Sequence, residues 1–344
     1  MASIVMADAG IPFDGAMAEN GPLGGAETAF IALAEALAAR GHRVEVLSSC
    51  PAPMRHKGVQ WTPLYSATAP GCCDLYIGSR GHRVIGLAPG ARRRLFWLHN
   101  PAGYLRKMRL AARIAWHRPI VVTTGEYHAS TVPGWLITGG REIIPYGVLD
   151  RFRHLERREP PPPRAVFTSN PMRGLDWLLD LWTARIKPAV PAAELHVYAG
   201  AAVYRGAAAK HAGWIEAILA RAGALQPAGV FRREPVGREA LVEVLRGARA
   251  MLYRGDPGES FCLALAEAQA MGVPAVVTSL GSVGERIADR ESGRVAESDD
   301  AFVEAAIAVL SDDALWRRWH AGALATQRGL SWDEVAARYE ALIP

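Results

Sequence analysis

Short apolar runs alternate with longer amphipathic stretches along this chain, and the alternation occurs twice. Apolar runs of this length are typical of buried strands, whereas the longer stretches have the apolar spacing of helices. Alternation of the two favours a parallel sheet covered by helices on both faces. Because 344 residues suffice for two domains of ordinary size, the sequence predicts an α/β fold with two doubly wound, Rossmann-like domains.

The predicted elements fall into two sets. The first set has the strands Ser3–Met6, Val44–Leu47, Asp74–Ile77, Leu95–Leu98, Ile120–Thr123 and Glu142–Ile144, and the helices Ala26–Ala39, Tyr104–Trp116 and Glu126–Gly134. The second set has the strands Ala165–Thr168, Glu194–Ala199, Gly229–Phe231, Ala250–Tyr253 and Pro274–Thr278, and the helices Leu175–Ile186, Ala207–Ala222, Arg238–Gly247, Glu259–Met271, Asp300–Leu310 and Asp312–Thr326.

The four prolines Pro160–Pro163 separate the two sets and follow a short charged segment. Such a run favours a stiff, extended and exposed chain. We therefore expect an N-terminal domain at residues 1–155, a linker at residues 156–163 and a C-terminal domain at residues 164–328.

A further helix is predicted within residues 329–344. Ser331 can cap its first turn, and Glu334 three positions later completes a capping box. This helix could pack back on the N-terminal domain.

The composition favours a soluble protein that binds anionic small molecules. The formal net charge is +5, which fits such substrates better than dedicated nucleic-acid binding. We expect no signal peptide, because Met1–Met6 lacks a basic segment, and no uncharged run reaches the ~18 residues of a membrane span. Cys50, Cys72, Cys73 and Cys262 form no C-x-x-C pair, so we expect reduced thiols and a cytoplasmic location.

Residues 258–278 carry the pattern that is most informative about function. Glu259 lies at a glycine turn, and Glu267 lies eight positions later in an Ala- and Leu-rich stretch that ends at Gly272. If both glutamates lie on one helix, a rise of ~1.5 Å per residue separates them by roughly 12 Å. A sugar and a ribose joined by a diphosphate could span that distance. Single carboxylates on helices are usually solvated, but these two flank the entry to a helix that leads into a buried strand.

The same stretch resembles the E-x(7)-E signature of retaining glycosyltransferase family 4. The matching residues are Glu259, Phe261, Glu267, Ala268, Ala270, Gly272, Pro274 and Val276. Ser260 and Cys262 stand where the family prefers glycine. The resemblance implies the GT-B architecture, in which two Rossmann-like domains face a central cleft. It also implies an N-terminal domain on the side of the acceptor substrate and a C-terminal domain that binds the nucleotide-sugar donor.

The resemblance implies a set of donor-binding residues. They are Gly24, Gly25, Arg173, Val236, Glu259, Ser260, Phe261, Cys262, Leu263 and Glu267. Glu267 would hydrogen-bond the ribose, and Glu259 would hold the sugar hydroxyls. Arg173 stands in a segment where the family has an arginine and a lysine that bind the diphosphate, and its planar guanidinium suits phosphate. Arg254 or Arg205 could compensate for the missing lysine.

Two loops contribute mainly through their backbone. Gly24 and Gly25 open a helix after the first strand, and the N–H groups of a helix N-terminus suit an anion. By resemblance, this glycine loop meets the donor diphosphate and the acceptor substrate. The segment that ends at Val236 resembles the loop whose backbone contacts the nucleobase.

Three residues are candidates for catalysis: Glu259, Arg173 and His99. His99 follows a predicted strand and matches a histidine that, in the family, touches the transferred sugar. A structural, hydrogen-bonded histidine is the alternative interpretation. Tyr146 stands where the family usually has asparagine, and the sequence assigns it no role.

The implied activity is transfer of a sugar from a nucleotide-diphospho-sugar, most often a UDP-sugar, with retention of configuration. The acceptor substrate would be a saccharide, a lipid-linked glycan or a small metabolite. We expect no cofactor beyond the donor and no metal, since there is no D-x-D pair or histidine cluster. Two alternatives stay open: a nucleotide-sugar epimerase and a non-catalytic GT-B binding or partner subunit. The two glutamates favour the transferase.

Arginines are frequent between Arg92 and Arg113, with apolar residues among them. This region could make weak peripheral contact with anionic lipid at the inner membrane face. A helix with a solvated basic face is the alternative.

Overall fold

A computed structural model describes residues 1–19, 21, 23–65, 71–153, 156–200, 211–326 and 329–344. The chain divides into two compact units. Unit 1 comprises Met1–Gly147 and Leu330–Pro344, and unit 2 comprises Val148–Gly329. The sequence predicts domain ends at residues 155 and 328, whereas the units change over at residues 147–148 and 329–330. No helix among the described residues has the length and apolar character needed to cross a bilayer.

Unit 1 is built on one sheet. Its described strands are β1 (Ser3–Asp8), β2 (Arg43–Ser48), β3 (Met54–His56), β4 (Val59–Pro63), β5 (Cys73–Ser79), β6 (Ala91–Trp97), β7 (Ile120–Thr123) and β8 (Gly140–Ile143). Their order is β3-β4-β2-β1-β5-β6-β7-β8, and only the β3–β4 pair is antiparallel. The hairpin β3–β4 escapes sequence prediction because its strands are short; Lys57 and Gly58 form its turn with positive φ angles of 41° and 80°.

The described helices of Met1–Gly147 are α1 (Gly25–Ala39), α2 (Met108–His117) and α3 (Glu126–Ser130). The predicted helix Tyr104–Trp116 is interrupted. A 3-10 turn, Ala102–Arg106, precedes α2, and Lys107 between them is extended. The apolar face is the same on both sides of this break, since Leu105 before it and Ile114 after it are buried in the same core.

Unit 2 is built on a fully parallel sheet. Its described strands are β9 (Arg164–Phe167), β10 (Glu194–Tyr198), β11 (Val230–Arg233), β12 (Ala250–Gly255), β13 (Ala275–Leu280) and β14 (Gly293–Ala296), in the order β11-β10-β9-β12-β13-β14. Its described helices are α4 (Leu175–Leu181), α5 (Lys187–Ala189), α6 (Ala212–Ala224), α7 (Arg238–Arg246), α8 (Leu263–Ala270), α9 (Asp299–Ser311) and α10 (Asp313–Thr326). A π-helical turn, Trp182–Ile186, joins α4 to α5. The sequence does not predict β14, and the predicted helix Ala207–Ala222 begins outside the described residues.

The proline-rich segment 156–163 packs against the rest of unit 2. The backbone N–H of Arg158 donates to Nε2 of His320 over 3.2 Å. Arg249 donates from Nη1 to the carbonyl oxygen of Pro161 over 3.0 Å. These bonds attach the segment to the helical side of the unit.

Each sheet has a point at which the strand order reverses. In unit 1 it lies between β1 and β5, and in unit 2 between β9 and β12. In open α/β sheets, ligands bind in the crevice beyond the carboxyl ends of the strands at such a point. The fold therefore gives each unit one preferred place for a ligand.

The last helix, α11 (Trp332–Glu340), belongs to unit 1. Its predicted capping box is confirmed: Glu334 N donates to Oγ of Ser331 over 3.1 Å, and Ser331 N donates to the Glu334 carboxylate over 2.6 Å. Arg40, at the end of α1, binds Asp333 over 2.8 Å and Glu340 over 2.5 Å. The helix therefore packs along α1.

Candidate functional site

A buried carboxylate lies at the reversal point of unit 2. Glu259, in the loop after β12, is 2% exposed. Arg173 donates from Nη1 to Oε1 over 2.6 Å, and the Tyr253 hydroxyl donates to Oε2 over 2.7 Å. Ser169, just beyond β9, hydrogen-bonds the Tyr253 hydroxyl over 3.0 Å. Residues that follow β9 and β12 thus converge on Glu259.

The groups of this cluster shift one another's pKa values. Burial acts to lower the pKa of Arg173, but the negative charge of Glu259 together with the effects of Tyr253 and Cys262 outweighs it, so the pKa of Arg173 is raised. Burial raises the pKa of Tyr253 well above its ordinary value, with Cys262 and Glu259 adding to the shift. Tyr253 therefore stays protonated and donates its hydrogen to Glu259.

The predicted helix Glu259–Met271 is wrong at its start. The helix begins at Leu263, because Cys262 adopts a left-handed conformation with φ 65° and ψ 71°. A residue in that conformation cannot continue a right-handed helix, and it favours glycine. Glu259 therefore lies in a loop, and the separation of roughly 12 Å along one helix does not apply. Cys262 is itself buried, and burial followed by the charge of Glu259 raises the pKa of its thiol.

The second predicted glutamate, Glu267, does lie on α8. It is 1% exposed and pairs with Arg238, the first residue of α7. Its Oε2 atom is buried and has no hydrogen-bond partner among the described residues. Burial raises the pKa of Glu267, and Arg238 opposes that shift. The sequence does not identify Arg238, because Arg238 and Glu267 lie on different helices and are 29 positions apart.

The four residues that follow Glu259 are buried as well. Ser260, Phe261, Cys262 and Leu263 are all buried. The Arg286 guanidinium lies 4.4 Å from the centre of the Phe261 ring, in cation–π geometry. Burial lowers the pKa of Arg286.

Two further predicted positions lie near these elements. Val236 is half-buried in the connection between β11 and α7, two residues before Arg238. Arg254, in β12, extends its side chain across Gly174, where an added Cβ would lie 2.5 Å from its Cβ. Gly174 also has a positive φ of 89°, so this approach beside Arg173 requires glycine. The Arg254 guanidinium stands over Trp177 at 5.4 Å, and Arg205 lies outside the described residues.

Unit 1 also has buried charges at its reversal point, and the sequence does not identify them. Asp8 ends β1 and is fully buried. Arg80, which follows β5, binds it through Nε over 2.8 Å and through Nη2 over 2.9 Å, and also pairs with Glu27 of α1. Burial raises the pKa of Asp8, and Arg80 opposes that shift. An Asp at the end of one strand and an Arg at the end of a later one are the only signal in the sequence.

The glycine loop adjoins this cluster. Gly24 is the N-cap of α1, and Gly25 is its first residue. A Cβ at Gly24 would overlap the Glu27 carboxylate, so any other residue there would displace that side chain from its present position. The loop thus brings backbone close to the Asp8–Arg80–Glu27 cluster.

His99 lies just beyond β6 and is 6% exposed. Its Nδ1 atom is 2.5 Å from the Tyr146 hydroxyl, and its ring lies 4.5 Å from that of Trp97. Burial, then the charge of Arg80, lowers the pKa of His99 well below 6.5, so the imidazole is neutral. Tyr146, to which the sequence assigns no role, thus fixes the orientation of this ring.

The described residues contain no group of three or more His, Cys, Asp or Glu side chains with the geometry of a metal site.

Comparison with known proteins gives a partial family match. Residues 162–312 match the family model described as Glycosyl transferases group 1. The D-inositol 3-phosphate glycosyltransferase of Xylanimonas cellulosilytica is 36% identical over 110 residues, which are 31% of this chain and 26% of that protein. The matched region spans about a quarter of the length of the curated relatives.

Solved structures match nearly the whole chain. Sucrose-phosphate synthase from Thermosynechococcus elongatus aligns with a TM-score of 0.74 at 16% identity, over 98% of both chains. HepE of Anabaena, solved with UDP and glucose, aligns with a TM-score of 0.70 at 12% identity, over 99% of both chains. The predicted α/β fold is confirmed: the chain has two Rossmann-like units and the fold of GT-B glycosyltransferases, and its residues 162–312 match Glycosyl transferases group 1.

Proposed function

We propose that this protein is a retaining glycosyltransferase that uses a nucleotide-diphospho-sugar, with a UDP-sugar as the first donor to test. The acceptor substrate is a saccharide, a lipid-linked glycan or a small metabolite. The observation that carries the proposal is the pair of buried glutamates in unit 2, because burial of a carboxylate is costly and each of these is held by an arginine.

Glu267 is proposed to bind the ribose. One of its oxygens is occupied by Arg238, while Oε2 is buried without a partner among the described residues. A buried acceptor atom without a donor is costly, and a ribose hydroxyl would supply that donor. Val236, just before Arg238, is the proposed backbone contact to the base.

Glu259 and Arg173 are proposed to act on the sugar and the diphosphate. Arg173 has five N–H donors, so its bond to Glu259 leaves others for phosphate oxygens. Tyr253 and Arg173 orient the Glu259 carboxylate, which would then accept hydrogen bonds from sugar hydroxyls. The backbone of residues 260–263, at the N-terminus of α8, would add N–H groups toward the negative charge.

Unit 1 is proposed to supply the glycine loop and His99. Gly24 and Gly25 would contact the diphosphate and the acceptor substrate. A neutral His99, oriented by Tyr146, would hydrogen-bond the transferred sugar rather than contribute a charge.

The proposed reaction breaks the bond between C1 of the sugar and the diphosphate oxygen. The acceptor hydroxyl forms its bond to C1 on the face that the diphosphate leaves, and its proton passes to the departing phosphate oxygen. The products are a glycoside of unchanged configuration and a nucleoside diphosphate. Arg173 stabilises the charge that develops on the leaving group, as in other preorganised sites. No cofactor takes part.

The proposal is tested with a panel of nucleotide sugars. Binding and slow hydrolysis would be measured for the wild type, for Glu267→Gln and Arg173→Gln, and for Glu243→Gln as an exposed control. We expect one donor to bind and be hydrolysed, both site variants to weaken it and the control to match the wild type. A wild type that binds no nucleotide sugar at millimolar concentration would contradict the proposal.

A further inference from the structure

The positive charge of this chain is concentrated in one segment. Residues 75–125 contain ten arginines and lysines and no aspartate or glutamate. Since the whole chain has a formal charge of +5, the remaining residues together carry −5. Unit 1 therefore holds a strongly cationic segment in an otherwise acidic protein.

Helix α2, within this segment, has apolar residues on its outer face as well as its inner one. Ala111 and Ile114 are buried in the core of the unit. Met108 is 78% exposed and Trp116 is 84% exposed, and the exposed Ala112 lies between them at the four-residue spacing of one helix face. Burying large apolar side chains stabilises a protein, so two of them on one solvent-exposed face indicate a contact surface.

The cations beside this stripe are unpaired. Arg106, Lys107 and Arg109 are exposed and have no ion-pair partner among the described residues. Two arginines farther upstream are engaged within the fold: Arg92 pairs with Asp74 over 3.2 Å, and Arg94 donates to the carbonyl oxygen of Ala88 over 3.2 Å. The exposed cations without an ion-pair partner among the described residues therefore occupy a shorter stretch than the predicted Arg92–Arg113 region. They lie around the start of α2.

A neighbouring loop also exposes large apolar side chains. Trp135 is 59% exposed and Ile137 is 56% exposed. The loop is attached to the end of α2, because Gly139 N donates to the carbonyl oxygen of Pro119 over 3.0 Å. Leu136, between the two exposed residues, is buried in the same core as Ile114.

We propose that this surface binds the anionic face of a lipid bilayer. The surface, here called the cationic–aromatic face, consists of Arg106, Lys107, Met108, Arg109, Trp116, Trp135 and Ile137. Its cations match acidic headgroups, while its tryptophans and aliphatic side chains match the boundary between headgroups and acyl chains. Exposed Met and Ile have no complement on a phosphodiester backbone, so a bilayer fits the face better than a nucleic acid does.

Vesicle sedimentation tests the proposal on the full chain. Vesicles of phosphatidylcholine alone would be compared with vesicles that also contain phosphatidylglycerol, at low and high salt. We expect binding only to the anionic vesicles, weakened by salt. Quenching of tryptophan by brominated lipid should occur in the wild type and diminish in Trp116→Phe, because Trp116 inserts.

Two variants separate the contributions of charge and apolar contact. The cation variant carries Arg106→Gln, Lys107→Gln and Arg109→Gln, and we expect it to bind anionic vesicles on the order of a hundredfold more weakly, at about fivefold for each cation. The apolar variant carries Met108→Ser and Trp116→Ser and should also lose most binding. Matched controls in unit 2, Arg185→Gln/Arg246→Gln/Arg317→Gln and Trp214→Ser, should bind like the wild type. Far-ultraviolet circular dichroism would verify that each variant is folded.

Three results would overturn the proposal. One is wild-type protein that stays in the supernatant with anionic vesicles. Another is a cation variant and an apolar variant that both bind as the wild type does. The third is binding to an RNA or DNA duplex, without vesicle binding, that the cation variant loses and the apolar variant keeps, which would assign the face to nucleic acid.

Discussion

Arg173 donates from Nη1 to Oε1 of the buried Glu259 over 2.6 Å, so the cation predicted for phosphate is also the partner of the carboxylate predicted for sugar. The two residues lie 86 positions apart and meet because β9 and β12 are adjacent. Their pairing makes the stability of the loop 256–262 depend on the group proposed to bind the donor.

Removal of Arg173 should destabilise the fold. Arg173→Ala leaves a buried carboxylate without its cation and with the Tyr253 hydroxyl and the Cys262 thiol as neutral partners, and we expect a loss of about 3 kcal/mol in the free energy of unfolding. In the double variant with Glu259→Gln, the loss should be smaller than the sum of the two single losses by about 1 to 2 kcal/mol. Urea denaturation measures all three. The exposed pair Arg246 and Glu243, which are 2.8 Å apart, is the control cycle, with an expected coupling below about 0.5 kcal/mol. Equal coupling in the two cycles would contradict the structural account.

Glu267 should make stability depend on pH. Burial raises its pKa in the folded state above its ordinary value of 4.5, so the folded protein holds this proton more tightly than the unfolded chain. The contribution of Glu267 to the free energy of unfolding therefore falls as pH rises from about 4.5 through the pKa of the folded state. Above that pKa the contribution is constant. The difference in unfolding free energy between Glu267→Gln and the wild type should increase over that window. Denaturation at a series of pH values tests this, and a difference that does not change with pH would refute it. Glu243→Gln provides the reference.

The hydrogen bond between Tyr146 and His99 should stabilise the fold, although Tyr146 does not match the family pattern. Tyr146→Phe removes the hydroxyl that is 2.5 Å from Nδ1, and we expect a loss of about 1 kcal/mol in unfolding free energy. The exposed Tyr65→Phe should change nothing. In nuclear magnetic resonance spectra, the His99 ring should stay neutral through pH 6.5, because its pKa lies well below that value. A titration of His99 near 6.5 would show that the ring is not buried as described.

Arg80 should be the most sensitive arginine of unit 1. It satisfies the fully buried Asp8 and also Glu27, so Arg80→Ala leaves two buried carboxylates without their cation. We expect a loss of about 3 to 5 kcal/mol in the free energy of unfolding. Arg83→Ala, at an exposed position nearby, should cost less than about 0.5 kcal/mol. Comparable losses in the two variants, measured by thermal unfolding, would be inconsistent with the ion cluster.

The sequence predicts local features better than distant partners. Strands such as β7 and the capping box at Ser331 depend on apolar runs and on spacings of a few residues, and both are confirmed. The partners Asp8–Arg80 and Arg238–Glu267 depend on strand order, which no short motif encodes. The predicted helix start is wrong because a cysteine side chain does not itself indicate left-handed dihedral angles at position 262; the signal is the preference of the family for glycine there.

The most direct test of the proposed donor site compares two nucleotides on two proteins. Binding of UDP and of its 2′,3′-dideoxy analogue would be measured by titration calorimetry on the wild type and on Glu267→Ala. A hydrogen bond from a ribose hydroxyl to a buried carboxylate should make the wild type prefer UDP by about tenfold or more, and the variant should show no preference. If the wild type binds both nucleotides equally, or if the variant keeps the preference, Glu267 does not bind the ribose and the proposed donor site is wrong.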